Sequence, residues 1–191
     1  MRIGILALQG DFAAHAAAFE RLGCQVELIR TPGQLAAADA LALPGGESTT
    51  MLHFLDRGGF GDQLRAACRS RPTFATCAGA ILLAREAARP PQPSLGLLDL
   101  TAVRNAYGRQ LESSIQFATV EPAFQPALGA APLEAVLIRA PKFEALGPAV
   151  EVVARGPGGE PLLVRQGSLV AASFHPELSG DLRVHRWFLS L

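Results

Sequence analysis

Over its first half the chain alternates short, unbroken apolar runs with longer segments of helical periodicity. The runs are Ile3–Leu8, Ala40–Leu43 and Thr73–Ala75, and Gln25–Ile29 reads as a further strand. An unbroken apolar run suits a strand covered on both faces, not one with a wet side. Between them, Phe12–Leu22 reads as a helix that Gly23 stops, with Asp11 as its expected N-cap. Thr31-Pro32 opens a short helix, Ser48 or Thr49 begins another through Asp56, and Phe60–Cys68 follows Gly58-Gly59. Strands separated by such helices imply right-handed crossovers and a parallel sheet.

Beyond Arg85 the pattern changes. Arg89-Pro90-Pro91-Gln92-Pro93 is a loop, and the chain to Gln166 is richer in Pro, Gly and short alternating segments. Leu97–Val103, Ser114–Val120, Glu134–Ile138, Val150–Ala154 and Pro161–Arg165 read as strands, partly antiparallel. Leu169–Phe174 is again a buried strand, and Asp181–Leu189 a closing helix. With no repeat and no linker, residues 1–191 are expected to form one domain, long enough to bury a substantial core.

Charge excludes some partners. Lys+Arg and Asp+Glu stand at 17 each, so no basic field advertises a nucleic acid or a membrane surface. No apolar run approaches the ~18 residues of a membrane span, and no signal-peptide pattern opens the chain. A cytoplasmic location is therefore expected. Cys24, Cys68 and Cys77 cannot all pair and no C-x-x-C occurs, which argues against a disulfide framework or a zinc site. No metal and no cofactor are expected.

The chemistry lies in two distant motifs. Thr73-Phe74-Ala75-Thr76-Cys77-Ala78-Gly79-Ala80 sets a cysteine on a strand-to-helix turn, and Ser173-Phe174-His175-Pro176-Glu177 ends a later apolar run. An active cysteine works as the thiolate, which a helix N-terminus and a nearby imidazolium both favour. A sharp elbow supplies that setting, and its crowding demands small neighbours such as Ala75, Ala78 and Gly79. His175 falls where the carboxyl ends of strands carry ligands in open α/β sheets. Glu177 can reach back to orient the imidazole, as a general base requires. Singly, such a cysteine is more often a buried small hydrophobe and His-Pro-Glu a turn at least as often as a site; together they read as a Cys-His-Glu triad for nucleophilic acyl chemistry.

Pro44-Gly45-Gly46-Glu47-Ser48 follows the third strand. Its glycines let backbone N–H groups approach a developing oxyanion, although a tight turn capped by Ser48 would leave the same pattern. No Gly-Lys-Ser/Thr follows, so ATP hydrolysis has no support. Arg104 and Arg139 follow apolar runs, and each suits either a carboxylate clamp or a solvated surface. His15, His53 and His185 lie on helical segments without metal-ligand spacing and read as structural.

Leu8-Gln9-Gly10, Pro44-Gly45-Gly46-Glu47-Ser48-Thr49-Thr50, Thr76-Cys77-Ala78-Gly79, Arg104-Asn105-x-x-Gly108-Arg109-Gln110, Ile138-Arg139-Ala140-Pro141 and Ser173-Phe174-His175-Pro176-Glu177-Leu178 occur in that order. Together they resemble the glutaminase subunits of pyridoxal 5′-phosphate synthase, which are class I, triad-type glutamine amidotransferases. The resemblance implies a three-layer α/β/α sandwich with a mostly parallel central sheet. It implies Cys77 as nucleophile, His175 as general base and acid, and Glu177 as the orienting carboxylate. Gly46, Glu47, Ser48, Arg104, Ile138 and Arg139 would bind L-glutamine. Gly46 and Ala78 would supply the oxyanion-hole N–H groups, and Gln9 would couple that loop to the partner.

By the same resemblance, ammonia would pass to a synthase subunit that makes pyridoxal phosphate from ribose 5-phosphate and glyceraldehyde 3-phosphate. The vitamin is then a product of the partner. Two positions depart from the family pattern: Ala75 stands where Gly is commoner, and Gln116 where Glu is frequent. Three rival readings remain at this stage. One is a glutaminase for another synthase, such as that of imidazole glycerol phosphate. Another is a non-enzymatic binding protein with the same architecture, and the third a cysteine hydrolase or redox-stress protein of related topology.

Overall fold

The computed structural model of the chain describes residues 1–104, 106 and 113–191. Its first half runs β1 (Arg2–Leu6), α1 (Phe12–Arg21), β2 (Gln25–Ile29), β3 (Ala40–Leu43), α2 (Ser48–Leu55), α3 (Phe60–Ser70), β4 (Thr73–Thr76) and α4 (Ala78–Leu83). The second half runs β5 (Ala84–Ala88), β6 (Leu98–Val103), β7 (Ser114–Val120), α5 (Gln125–Leu128), β8 (Leu133–Leu137) and β9 (Lys142–Glu144). It closes with β10 (Glu151–Arg155), β11 (Pro161–Gln166), β12 (Leu169–Ala172) and α6 (Arg183–Phe188).

Among the described residues, the main sheet has the order β2-β1-β3-β4-β12-β11-β10-β7-β8. From β2 to β12 every neighbouring pair is parallel. From β12 to β8 every pair is antiparallel. The sheet is thus parallel in one half only, short of the mostly parallel sheet expected. Connection length explains the division. Tight turns such as those at Gly159 (φ 82°) and Gly167 (φ 59°) can join only antiparallel neighbours, whereas the helices of the first half allow crossovers.

Alternation along the central strands feeds two cores. Ile3, Ile5, Ala42, Phe74 and Val170 face Phe19 of α1 and Trp187 and Phe188 of α6. Leu41, Leu43 and Ala75 face Met51 and Leu55 of α2, Leu64 of α3 and Leu82 of α4. Helices therefore cover both sides, giving the three layers that the resemblance implied. A smaller sheet, β5-β6-β9, adds Leu98, Leu100 and Phe143 to the second core.

Several local details differ from the expectations. The Ala/Leu stretch after Cys77 stops being helical at Leu83, because Ala84–Ala88 pairs in parallel with β6. Asp11 holds the N-cap position of α1 without a side-chain capping bond. Its N–H donates instead to Gly45 O at 3.2 Å, which ties the start of α1 to the turn after β3. The cap of α2 is Glu47, whose carboxylate accepts from Thr50 N–H at 2.9 Å. Ser48 donates its hydroxyl to Gln92 Oε1 at 3.0 Å. No helix of the described residues is long and apolar enough to cross a membrane.

Candidate active site

Cys77 occupies the elbow between β4 and α4 with φ 46° and ψ −105°, a backbone conformation that L residues rarely adopt. Such a conformation costs about 1–3 kcal/mol and persists only where its surroundings enforce it. Here the sheet does so. Thr76 is paired with Ala172, and Cys77 N–H extends the ladder by donating to Ala172 O at 2.9 Å. One turn on, Ile81 N–H donates to Cys77 O at 3.1 Å. A Cβ at Gly79 would overlap the Leu43 backbone, so α4 can lie this close to β3 only with glycine there. Ala75 is fully buried in the core between the sheet and α2–α4, where its methyl is accommodated.

His175 follows β12, the strand beside β4. Its N–H donates to Val136 O at 2.9 Å, anchoring the backbone to β8. The short 3-10 turn Pro176–Leu178 then folds Glu177 back beneath the ring. His175 Nδ1 lies 2.7 Å from Glu177 Oε1, and the imidazole lines the same cleft as the Cys77 thiol. Since Nδ1 is engaged by Glu177, Nε2 faces the sulfur. Cys77 Sγ lies 3.8 Å from Ile138 O on its other side. All three side chains are more than nine-tenths withdrawn from solvent.

This arrangement shifts the proton affinities of its members. Burial would lower the His175 pKa, but its interactions with Cys77 and with the Glu177 carboxylate outweigh it and push the ring up to about 10. Burial works against the Glu177 charge, yet the facing His15 and His175 hold its carboxyl below the usual range. Asp11, His175 and Glu177 bring potential ligand atoms within 4.8 Å of one another. His175 Nδ1 and Glu177 Oε1 already engage each other, and Glu177 Oε2 turns away toward His15, so the trio fits a metal poorly.

The cleft over the sulfur has a volume of about 260 Å³. Gln9, Gly46, Glu47, Ser48, Cys77, Ala78, Arg104, Ile138, Arg139 and His175 all line it. Every residue expected at the site is therefore brought together, with Glu177 behind His175. Gly46 has φ 153°, and the Gln9 side chain, Gly10 and Met51 crowd the place a Cβ would take. Glu47 N–H donates to Gln9 Oε1 at 2.5 Å, so the Gln9 carboxamide grips the loop after Gly46. Thr49 and Thr50 both donate to the Glu47 carboxylate; their hydrogen bonds outweigh burial and hold its pKa low.

Arg104 reaches over the cleft, with Nη2 3.8 Å from Glu47 Oε1 and Nη1 donating to Pro90 O at 3.3 Å. Arg139 has φ 47°. Asn105 and Gly108-Arg109-Gln110 of the sequence motif lie outside the described residues. Gln116 sits on β7 opposite Ala135. Of the histidines read from sequence as structural, His15 stands directly behind Glu177, and His185 behind His15. His15 Nε2 is 3.4 Å from Glu177 Oε2 and 3.0 Å from Thr76 Oγ1, and His185 Nε2 is 3.3 Å from His15 Nδ1. No spacing in the sequence signals that contact, because Glu177 and His15 lie at opposite ends of the chain.

The model of the SNO glutamine amidotransferase family matches residues 5–191. A protein of Koribacter versatilis named pyridoxal 5′-phosphate synthase subunit PdxT is 49% identical over 191 residues, covering 100% of this chain and 95% of its own length. Like-named proteins of Thermus thermophilus and Thermotoga maritima are 47% and 44% identical; they cover 99% and 100% of this chain, and 96% and 99% of their own lengths. A crystal structure of a glutamine amidotransferase superposes with a TM-score of 0.88 at 46% identity, over 98% of this chain and 97% of that one. A putative GMP synthase component from Thermoplasma acidophilum shares the fold at 14% identity, with a TM-score of 0.72 over 100% of this chain and 92% of its own.

Proposed function

Because the chain belongs to the SNO glutamine amidotransferase family, we propose that its cleft hydrolyses the side-chain amide of L-glutamine as the glutaminase subunit of a pyridoxal 5′-phosphate synthase. The observation that carries this reading is the buried imidazole of His175, held at Nδ1 by Glu177 at 2.7 Å and lining the same cleft as Cys77. A ring so held is oriented to exchange protons with the sulfur and with a leaving group above it. Relatives of nearly the same length carry the PdxT name, which describes them as synthase subunits.

In this mechanism Cys77 Sγ, as the thiolate, attacks the amide carbon, and the C=O electron pair moves onto oxygen. The N–H groups of Gly46 and Ala78 receive that charge, and such donors contribute ~3–4 kcal/mol each. Collapse breaks the C–N bond while His175 Nε2–H protonates the departing nitrogen, releasing ammonia and leaving a thioester. His175, now neutral, takes a proton from water as the water attacks the thioester. Glutamate leaves, and the thiolate–imidazolium pair is restored. Glu177 accepts from His175 Nδ1–H throughout, which keeps Nε2 aimed at the reacting atoms.

Glu47, Ser48, Arg104, Ile138 and Arg139 hold the substrate. The guanidinium of Arg104 suits the α-carboxylate. Gln9 couples the loop to the partner. Its grip on Glu47 N–H sets the peptide geometry beside Gly46, so a partner that moves Gln9 would tune the oxyanion pocket. Free ammonia would be protonated and lost in bulk water, so the synthase subunit receives it directly and incorporates it with ribose 5-phosphate and glyceraldehyde 3-phosphate. Residues 1–191 act as one glutaminase domain. We place it in the cytoplasm, which three free thiols suit.

The test is glutamate release and glutamine-dependent pyridoxal phosphate formation after reconstitution with a synthase subunit. Cys77→Ala should lose glutamine-dependent turnover while exogenous ammonia still supports product. Wild-type turnover from Cys77→Ala ends the reading.

A further inference from the structure

Behind the triad, Glu177 Oε2 is buried, and no hydrogen-bond donor among the described residues meets it in good geometry. The group that faces it is the fully buried His15, with Nε2 at 3.4 Å. That ring in turn has Nδ1 3.3 Å from His185 Nε2, and His185 is also fully buried. A carboxylate oxygen without a donor in the interior is costly. What His15 presents to it therefore matters.

The protons of the two rings can be placed by elimination. If His15 carried its proton on Nδ1, a bare Nε2 lone pair would face the carboxylate, and the bond to His185 would run from His15. His185 would then need its proton on Nδ1, which has no partner and is buried. A buried orphan donor and a lone pair against an anion are both unfavourable. The reverse arrangement removes both faults. His185 Nε2–H donates to His15 Nδ1, and His15 Nε2–H is shared between Thr76 Oγ1 at 3.0 Å and Glu177 Oε2 at 3.4 Å. His185 Nδ1 is then only a lone pair among the rings of Phe19 and Phe74.

We propose that His15 is a positioning residue for the hydrolysis, its tautomer set by His185, holding Glu177 through the second carboxylate oxygen so that the first stays on His175. This rests on the triad reading above. A carboxylate tethered at one oxygen can rotate, and one tethered at both cannot. The directional chain runs from His185 through His15 and Glu177 to His175 and Cys77. Because both rear rings are neutral, it orients the carboxylate without cancelling its charge.

Four groups bear on the titration of these rings. Glu177 and Asp11 raise the proton affinity of His15, burial and His175 lower it, and burial wins. Burial and His15 lower that of His185, against Glu177 and Asp181. Cys77 and Glu177 face His175.

Two measurements test the proposal. The chain has four histidines, so long-range nitrogen–proton correlation spectra of the labelled subunit at neutral pH resolve each ring. His15 and His185 should both appear as neutral Nε2–H tautomers. An Nδ1–H tautomer or an imidazolium at His15 overturns the proposal. In the reconstituted complex, His15→Met should lower kcat about 10- to 100-fold, as loss of a hydrogen bond to a charged group does. The alkaline limb of its kcat/KM profile should move to lower pH, since a loose Glu177 stabilises the His175 imidazolium less.

His15→Gln returns an N–H near the Nε2 position and should recover at least half of that loss on a logarithmic scale. Equal defects in both variants with an unmoved pH profile mean a packing role only and refute it. Should His15→Met fail to fold, the tautomer spectra and His15→Gln still decide. Turnover by Cys77→Ala would refute the triad itself, a separate outcome from wild-type behaviour of His15→Met.

Discussion

Gly45→Ala isolates the position of His175, the proposed general base, from the rest of the cleft. Gly45 is buried, and its φ lies outside the left-handed region, so alanine brings no backbone strain. The three atoms nearest the new methyl would all belong to the imidazole of His175. A carbon built there stands 2.9 Å from Nδ1 and 3.2 Å from Nε2, and closer still to Cε1. Ordinary contact begins at 3.4 Å, so Nδ1 must retreat by at least 0.5 Å and Cε1 by more. The ring as a whole then moves by about 1 Å, a misplacement that costs about 100-fold in rate, or about 2.7 kcal/mol of barrier. Movement also pulls Nδ1 from Glu177 Oε1, now 2.7 Å away. The groups assigned to glutamine are untouched, so KM should hold while kcat falls. The assay is steady-state glutamate release by the complex, with thermal unfolding of the subunit run beside it. A folded Gly45→Ala variant with kcat within about threefold of wild type, far short of the loss a 1 Å displacement brings, would refute the claim that the ring has no room to yield.

Stability should peak near neutral pH. Burial keeps His15 and His185 neutral, His185 with a pKa of about 3 against 6.5 in the unfolded chain. Below pH 6.5 the unfolded chain therefore takes up protons that the native one refuses, costing up to ~1.4 kcal/mol per pH unit for each ring. His175 acts oppositely: raised to about 10, its contribution is full below 6.5 and is lost as pH rises through 10. Glu177, held low, contributes above the usual carboxylate range and loses that as pH falls through it. Urea midpoints should drop from pH 6.5 to 5.5; a flat or rising midpoint would contradict the neutral pair. Arg104→Gln should raise KM for glutamine about tenfold with kcat little changed, the mark of uniform binding lost. A selective fall in kcat would instead make Arg104 part of the chemical step.

The parallel half of the fold was legible because its inner strands are covered on both faces and appear as apolar runs, with the edge strand marked by helices on either side. Gln25–Ile29 and Ala40–Leu43 match the observed strands end to end. The antiparallel strands were legible one by one, but their order was not. Nothing local in Ser114–Val120 says that it joins β10 to β8. Ala84–Ala88 was missed because alanine favours helix, and only pairing with β6 overrides it. The three-residue strand Lys142–Glu144 is too short to show a period. In the site, Cys77, His175 and Glu177 stood out through their motifs. His15 did not, since its partner lies across the molecule and its own helix surrounds it with alanines. Asp11 and Ser48 had the residue types of helix caps, yet the chain uses their neighbourhood to bind the Gly45 turn and Gln92.

The seam where β4 meets β12 has an evolutionary consequence. The proposed nucleophile Cys77 and base His175 lie about a hundred positions apart, but they follow adjoining strands in fixed register, Ala171 beside Ala75 and Ala172 beside Thr76. Their separation is thus a property of one ladder, independent of how much chain loops out between them. Insertions or deletions around the Gly156–Gly159 and Gly167 turns lie beyond the ladder's control of the catalytic spacing. Lineages can redraw those outer turns freely, whereas a slip of a single residue at the seam would turn every side chain of β12 to the opposite layer and scatter the machinery.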